Sequence, residues 1–194
     1  LVTLEAHADT AIDAVTLDVT RDGRTGNYPT ALSNGSYAVT LPLGGPGFTS
    51  GTYTLVGKVT AGGHEARSSE VHVSLDRDPP AITLRVDYPT RTPGHLATGA
   101  FLRNERIVVD ATVTDAPAGV ALTPPVLRIP GMADVVGTST GGDAFRFEFD
   151  GRAPPFAMLS GPLAFAVVAV DKVGNRGSVD GTVQVTRRLF KWTK

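Results

Sequence analysis

The chain has 194 residues, 41% of them hydrophobic, and its 18 basic and 19 acidic side chains leave a formal net charge of −1. That is enough apolar material for a core, but no run approaches the ~20 residues a bilayer span needs, which excludes membrane insertion of this segment, and the balanced charge argues against a nucleic-acid binder. With no cysteine, a disulfide scaffold, a thiolate zinc site and a cysteine nucleophile are also excluded.

Period-two alternation dominates from the N-terminus. Val2, Leu4 and Ala6 alternate with polar neighbours, as do Val15, Leu17 and Val19, and Tyr37, Val39, Leu41 and Leu43 then alternate with Ala38, Thr40 and Pro42. Tyr53, Leu55 and Val59 follow, then Val71, Val73 and Leu75. Each run is short, rich in Val, Thr and Tyr, and closed by turn residues such as Asp22-Gly23, Asn34-Gly35 or Gly62-Gly63. Half-buried antiparallel strands need this pattern, because successive side chains point to opposite sheet faces.

A second series begins after Asp76-Arg77-Asp78-Pro79-Pro80. Ile82, Leu84, Val86 and Tyr88 form one face of its first strand, and Ile107, Val109, Ala111 and Val113 form that of the next. Phe145, Phe147 and Phe149 point inward between Arg146 and Glu148, which point outward. Residues 163–170 are apolar on both faces, as a central strand with cover on both sides would be, and Val179, Val183 and Val185 close the set. No window of a dozen residues reads as an amphipathic helix. The Pro pair predicts a domain boundary, since proline fixes its own φ, extends the residue before it and lacks a ladder N–H. Residues 1–78 carry five basic and nine acidic groups, and residues 79–194 carry thirteen and ten. The chain opens on Leu1 without an initiator Met and is expected to be a piece of a longer protein.

Gly51-Thr-Tyr-Thr-Leu-Val-Gly-Lys-Val-Thr-Ala-Gly-Gly63 followed by Glu70-Val-His-Val-Ser-Leu-Asp76 resembles the last two strands of bacterial immunoglobulin-like domains. Phe165-Ala-Val-Val-Ala-Val-Asp-Lys-Val-Gly-Asn-Arg176 is similar to that family's recurrent strand running into Asp-x-x-Gly-Asn, and Asp-Arg-Asp-Pro-Pro resembles its linkers. The resemblance implies an all-β chain of two tandem immunoglobulin-like β-sandwiches, antiparallel and Greek-key, joined by a short Asp-Pro-Pro linker. Residues 1–78 would form the first, with about six clear strands and its opening strand missing or lying before Leu1. Residues 79–187 would form the second, with longer loops, and 188–194 a tail or the start of a following module. The antibody-type Cys…Trp…Cys core is absent. Members of the family serve as spacers, adhesin stalks and accessory modules of secreted or surface bacterial proteins. The implied role is non-catalytic, in an extracellular, cell-surface or periplasmic location. Its partners would be other domains of the same polypeptide and a protein or glycan surface ligand, and the alternative is a carbohydrate- or matrix-binding accessory module.

The most chemical-looking feature is Asp171…Asn175. Together with Asp76, Asp78 or Asp115 it offers oxygens to calcium, which takes six to eight. The competing role is structural, because Asp and Asn in a tight turn bond backbone N–H groups while Gly174 supplies positive φ. With no Asp-x-Asp-x-Asp-Gly loop present, the structural role is preferred, no cofactor is expected, and added calcium should leave the melting temperature unchanged. His7, His64, His72 and His95 lack zinc-site spacing, no serine sits in Gly-x-Ser-x-Gly, and the glycines at 44–47 and 141–142 lack a phosphate-loop ending. Among aromatic residues, Tyr28, Phe48, Phe101, Phe156 and Phe190 fall in or near loops and are the candidates for exposed rings. Phe101 and Phe156 are taken as ligand- or partner-contacting positions in the long loops of the second half.

Overall fold

The computed structural model describes residues 1–8, 10–88, 99–102, 105–150 and 160–186. Every helix or strand among them is a strand, as the alternation predicts. The chain divides into two compact units, Leu1–Arg77 and Asp78–Lys194.

The first unit contains β1 (Val2–Leu4), β2 (Ile12–Arg21), β3 (Arg24–Pro29), β4 (Ala31–Ser33), β5 (Ser36–Val39), β6 (Gly51–Ala61), β7 (His64–Arg67) and β8 (Val71–Leu75). A three-stranded sheet has the order β1-β5-β4, and the larger sheet has β3-β2-β6 with β7 and β8 both paired to β6. The chain alternates between the two sheets, so Leu17, Val19, Tyr53 and Leu55 of the larger one meet Val2, Leu4 and Val39 of the smaller one in a shared core. Eight segments stand where alternation alone suggests about six strands. The last run is interrupted at Ser68, whose Oγ replaces a ladder carbonyl as acceptor for the Gly57 N–H (2.9 Å).

The turns follow directly from residue chemistry. Asp22 and Gly23 (φ 50° and 75°), Asn34 and Gly35 (51° and 82°) and Gly62 and Gly63 (52° and 79°) all adopt left-handed backbone. Two consecutive positive-φ residues make the two-residue turn whose twist matches that of the flanking strands, and Asn, Asp and Gly tolerate it best. The pairings Arg21↔Arg24, Ser33↔Ser36 and Ala61↔His64 are closed in this way.

The second unit contains β9 (Ala81–Val86), β10 (Phe101–Leu102), β11 (Arg106–Thr114), β12 (Val126–Arg128), β13 (Val135–Val136), β14 (Thr138–Gly141), β15 (Ala144–Asp150), β16 (Gly161–Val170) and β17 (Arg176–Thr186). Its sheets have the orders β14-β15-β11-β9 and β10-β17-β16-β12-β13. The chain changes sheet after β9, β10, β11, β13 and β15, the interleaving of a two-sheet β-sandwich. One pair departs from the antiparallel expectation: β10 runs parallel to β17, with Phe101 opposite Val185. The core joins Ile107, Val109 and Phe147 of one sheet to Leu127, Phe165, Val167 and Val183 of the other. Arg146 and Glu148 point outward, and Arg146 grips its cross-strand neighbour Asp110 through Nε (2.8 Å) and Nη2 (3.1 Å).

Packing on β17 leaves no room at two glycines. Phe165 lies directly across from Gly181, its ring occupying the space a side chain at 181 would need. At Gly177 the backbone carbonyl of Pro80 does the same, so the second proline of the Pro pair is built into this unit. Substituting Gly181→Val should cost about 2 kcal/mol through overpacking against Phe165 and Leu84. Urea unfolding reads this as a lower midpoint with an unchanged slope.

The structure corrects the reading of two aromatic residues as exposed. Phe101 is only 1% exposed, because β10, paired parallel to β17, turns it into the core, where its ring lies 5.0 Å from that of Tyr88. Phe48 is 5% exposed and packs between Tyr28 and Tyr53. The valines of β8 err the other way. Val71 and Val73 oppose the buried Leu55 and Tyr53 yet are 55% and 42% exposed, being on an outer strand beyond the core cluster.

Candidate functional site

The Asp-x-x-Gly-Asn element connects β16 to β17. Asp171 directly follows the apolar end of β16 and is the one charged side chain buried among the described residues, at 2% exposure. Its Oδ1 accepts from the backbone N–H groups of Val173 (2.8 Å), Gly174 (2.6 Å) and Asn175 (2.8 Å). Its Oδ2 accepts from Asn175 Nδ2 (2.6 Å). The Asp171 N–H in turn donates to the Asn175 carbonyl (3.0 Å), and Gly174 takes φ 100°, a region only glycine enters readily. Burial pushes the Asp171 carboxyl up. The bonds from the Asn175 amide and the three backbone N–H groups outweigh this and hold it below the usual carboxylate range.

The other candidate ligands divide between the units. The carboxylate oxygens of Asp115 and Asp171 come within 4.8 Å of each other. Asp78 and Asp115 line one shallow cleft of about 290 Å³ with Pro79 and Thr114. Asp76 follows β8 in the first unit. Phe156, Phe190 and His95 lie outside the described residues.

Sequence reasoning missed a second cluster, in the first unit. Arg21, the last residue of β2, donates from Nη1 to the Thr49 carbonyl (2.6 Å), to Thr49 Oγ1 and to the Tyr53 hydroxyl (3.1 Å). The Tyr53 hydroxyl also accepts from the Thr49 N–H (2.9 Å) and donates to the Thr49 carbonyl (2.8 Å). The guanidinium carbon sits 5.3 Å from the Tyr53 ring centre, so Arg21 pins the 42–50 loop onto the larger sheet. Burial pushes the Tyr53 phenol up, and its bonds to Arg21 and Thr49 outweigh that and leave it below the ordinary tyrosine range. Beside this lock lies a groove of about 690 Å³, walled by Arg24, Thr25 and Tyr28 of β3 and by Pro46 and Gly47. The groove's one local signal is Arg21 and Arg24 flanking Asp22-Gly23, with Tyr28 further along β3.

No family model matches the chain, and no curated protein matches it. Among solved structures, one similar fold is that of a 1.5-MDa bacterial ice-binding adhesin. It is 17% identical, covering 91% of this chain and 55% of that one, with a TM-score of 0.45. A tetra-tandem repeat from the extending region of a large adhesion protein is 20% identical, covering 91% and 43%, with a TM-score of 0.35. Extracellular cadherin domains 1–5 of protocadherin gamma B2 are 14% identical, covering 90% and 32%, with a TM-score of 0.35. The chain thus spans about half, or less, of the length of these structures.

Proposed function

We propose that the chain is a non-catalytic, adhesion-related segment of an exported bacterial surface protein, in which two immunoglobulin-like sandwiches space and present other domains of the same polypeptide. The observation that carries this reading is the state of Asp171. The side chain best placed for chemistry accepts four hydrogen bonds from its own turn and holds β16 to β17. A carboxylate committed in this way is a structural lock and not a general base. Displayed between a cell-surface anchor and a reporter binding domain, the segment should present the reporter intact and accessible. Degradation or masking of the reporter would contradict the spacer role, and turnover of ester or glycosidic substrates would contradict the non-catalytic one.

The second reading, a carbohydrate- or matrix-binding accessory module, is supported by the polar groove beside Arg24 and Tyr28.

No cofactor is part of this proposal. Calcium is the cation that carboxylate oxygens suit, but of the pair Asp115 and Asp171, which lie within 4.8 Å among the described residues of the second unit, Asp171 already accepts four bonds. Millimolar calcium is therefore expected to leave the melting temperature unchanged. A rise of several degrees that a chelator reverses would assign these carboxylates to a metal.

A further inference from the structure

We infer that Arg77 is a tension clamp: it fastens the C-terminal end of the first unit, where a pull from the following polypeptide enters, to the 42–50 loop. This role rests on the spacer reading above and names the residue at which the first unit takes up the load a spacer carries.

The bonds come first. Arg77 is the last residue of the first unit. Its Nη1 donates to the carbonyls of Phe48 (2.7 Å) and Gly45 (3.1 Å), and its Nη2 to that of Gly44 (3.3 Å). Its backbone N–H donates to Ser50 Oγ (2.8 Å). One planar fork thus gathers three backbone carbonyls, which a lysine ammonium on its flexible stem does not reproduce. Bonds from a charged donor are roughly twice as strong as those between neutral groups.

The anchor at the other end is firm. Phe48 is buried between Tyr28 and Tyr53, with ring centres 6.2 and 5.4 Å away. Arg21 holds the next carbonyl, that of Thr49, at 2.6 Å. Inside the loop the Gly45 N–H donates to the Pro42 carbonyl (2.8 Å), and Pro42 and Pro46 fix their own φ. Two guanidinium groups and a core ring therefore hold the loop that Arg77 grips.

The strand next to the clamp has little else to hold it. β8 pairs with β6 from Leu75↔Gly51 to Val71↔Leu55, but Val71 and Val73 are largely exposed and only Leu75 packs on the core cluster. A pull arriving through Asp78 reaches Arg77 before it reaches the Leu75↔Gly51 pair. The bonds of Arg77 are thus loaded ahead of the ladder they protect.

The test is constant-force pulling of single molecules of the whole chain. Held by both ends, the chain gives two extension steps, and the shorter belongs to the first unit, which has fewer residues. Arg77→Met should shorten the lifetime of that step about tenfold. Because the chain has no cysteine, Ser69→Cys supplies a unique second handle on an exposed residue. Pulled between the N-terminus and that handle, the first unit is stretched without tension passing through Arg77. There Arg77→Met should change the lifetime less than about twofold. Arg77→Lys, which keeps the charge and loses the fork, should fall between parent and Arg77→Met, and it carries the same comparison if Arg77→Met does not fold. Equal shortening in the two pulling geometries would overturn the clamp and leave Arg77 an ordinary loop contact. An unchanged end-to-end lifetime would overturn it as well. The spacer reading stands or falls separately, on the reporter display.

Discussion

Replacing Phe101 with alanine should destabilise the second unit by about 3–5 kcal/mol, as expected when a large aromatic side chain is removed from a close-packed interior. The ring is 1% exposed, lies tilted against that of Tyr88, and sits on a two-residue strand whose pairing with β17 holds it in place. Losing it empties one end of the core, where Ile107, Phe149 and Val185 are also buried. Urea unfolding should read the change as a lower midpoint. A variant with parental stability but impaired ligand retention would return Phe101 to the surface role its loop-like sequence context suggests.

Asp171→Ala is expected to lower the melting temperature of the second unit by roughly 5–10 °C. The substitution leaves the N–H groups of Val173, Gly174 and Asn175 without their acceptor at the point where β16 turns into β17. Asp171→Asn, which keeps an oxygen but loses the charge, should fall between the two. The pH dependence follows from the direction of the shift. The folded carboxyl titrates below its unfolded counterpart, so its contribution is complete above the unfolded value near ~3.9. That contribution fades as pH falls through the lower folded value. Parental protein should therefore lose stability in acid more steeply than Asp171→Ala, and parallel acid profiles would contradict the lock.

Local pattern carried the strands and turns because both are local phenomena. Phe145, Phe147 and Phe149 alternate with charged residues, and the strand they form does bury them while Arg146 and Glu148 face out. The residue pairs Asp22-Gly23 and Asn34-Gly35 have few backbone options between two alternating runs, and the hairpins form at those pairs. What alternation cannot report is whether the inward face of a strand receives a cover. Val71 and Val73 alternate as well as Leu17 and Val19 do, but only the latter pair lies under the opposing sheet. Phe101 fails for the same reason in reverse, since its burial depends on Val185, far along the chain. The Asp171 turn was legible because its partners lie within four residues. The Arg21–Thr49–Tyr53 lock spans 28 and 32 residues, and nothing in the sequence around Arg21 points to it.

The central claim is that the side chains of each unit line two stacked sheets in a specific register. Nuclear Overhauser contacts across the strands test it most directly. The account predicts contacts between Val109 and Phe147 and between Leu84 and Ala111 in the second unit, and between Val19 and Leu55 in the first. A set displaced by one residue, or replaced by the short-range contacts of helix, would contradict it, because a one-residue slip turns every core side chain out to water.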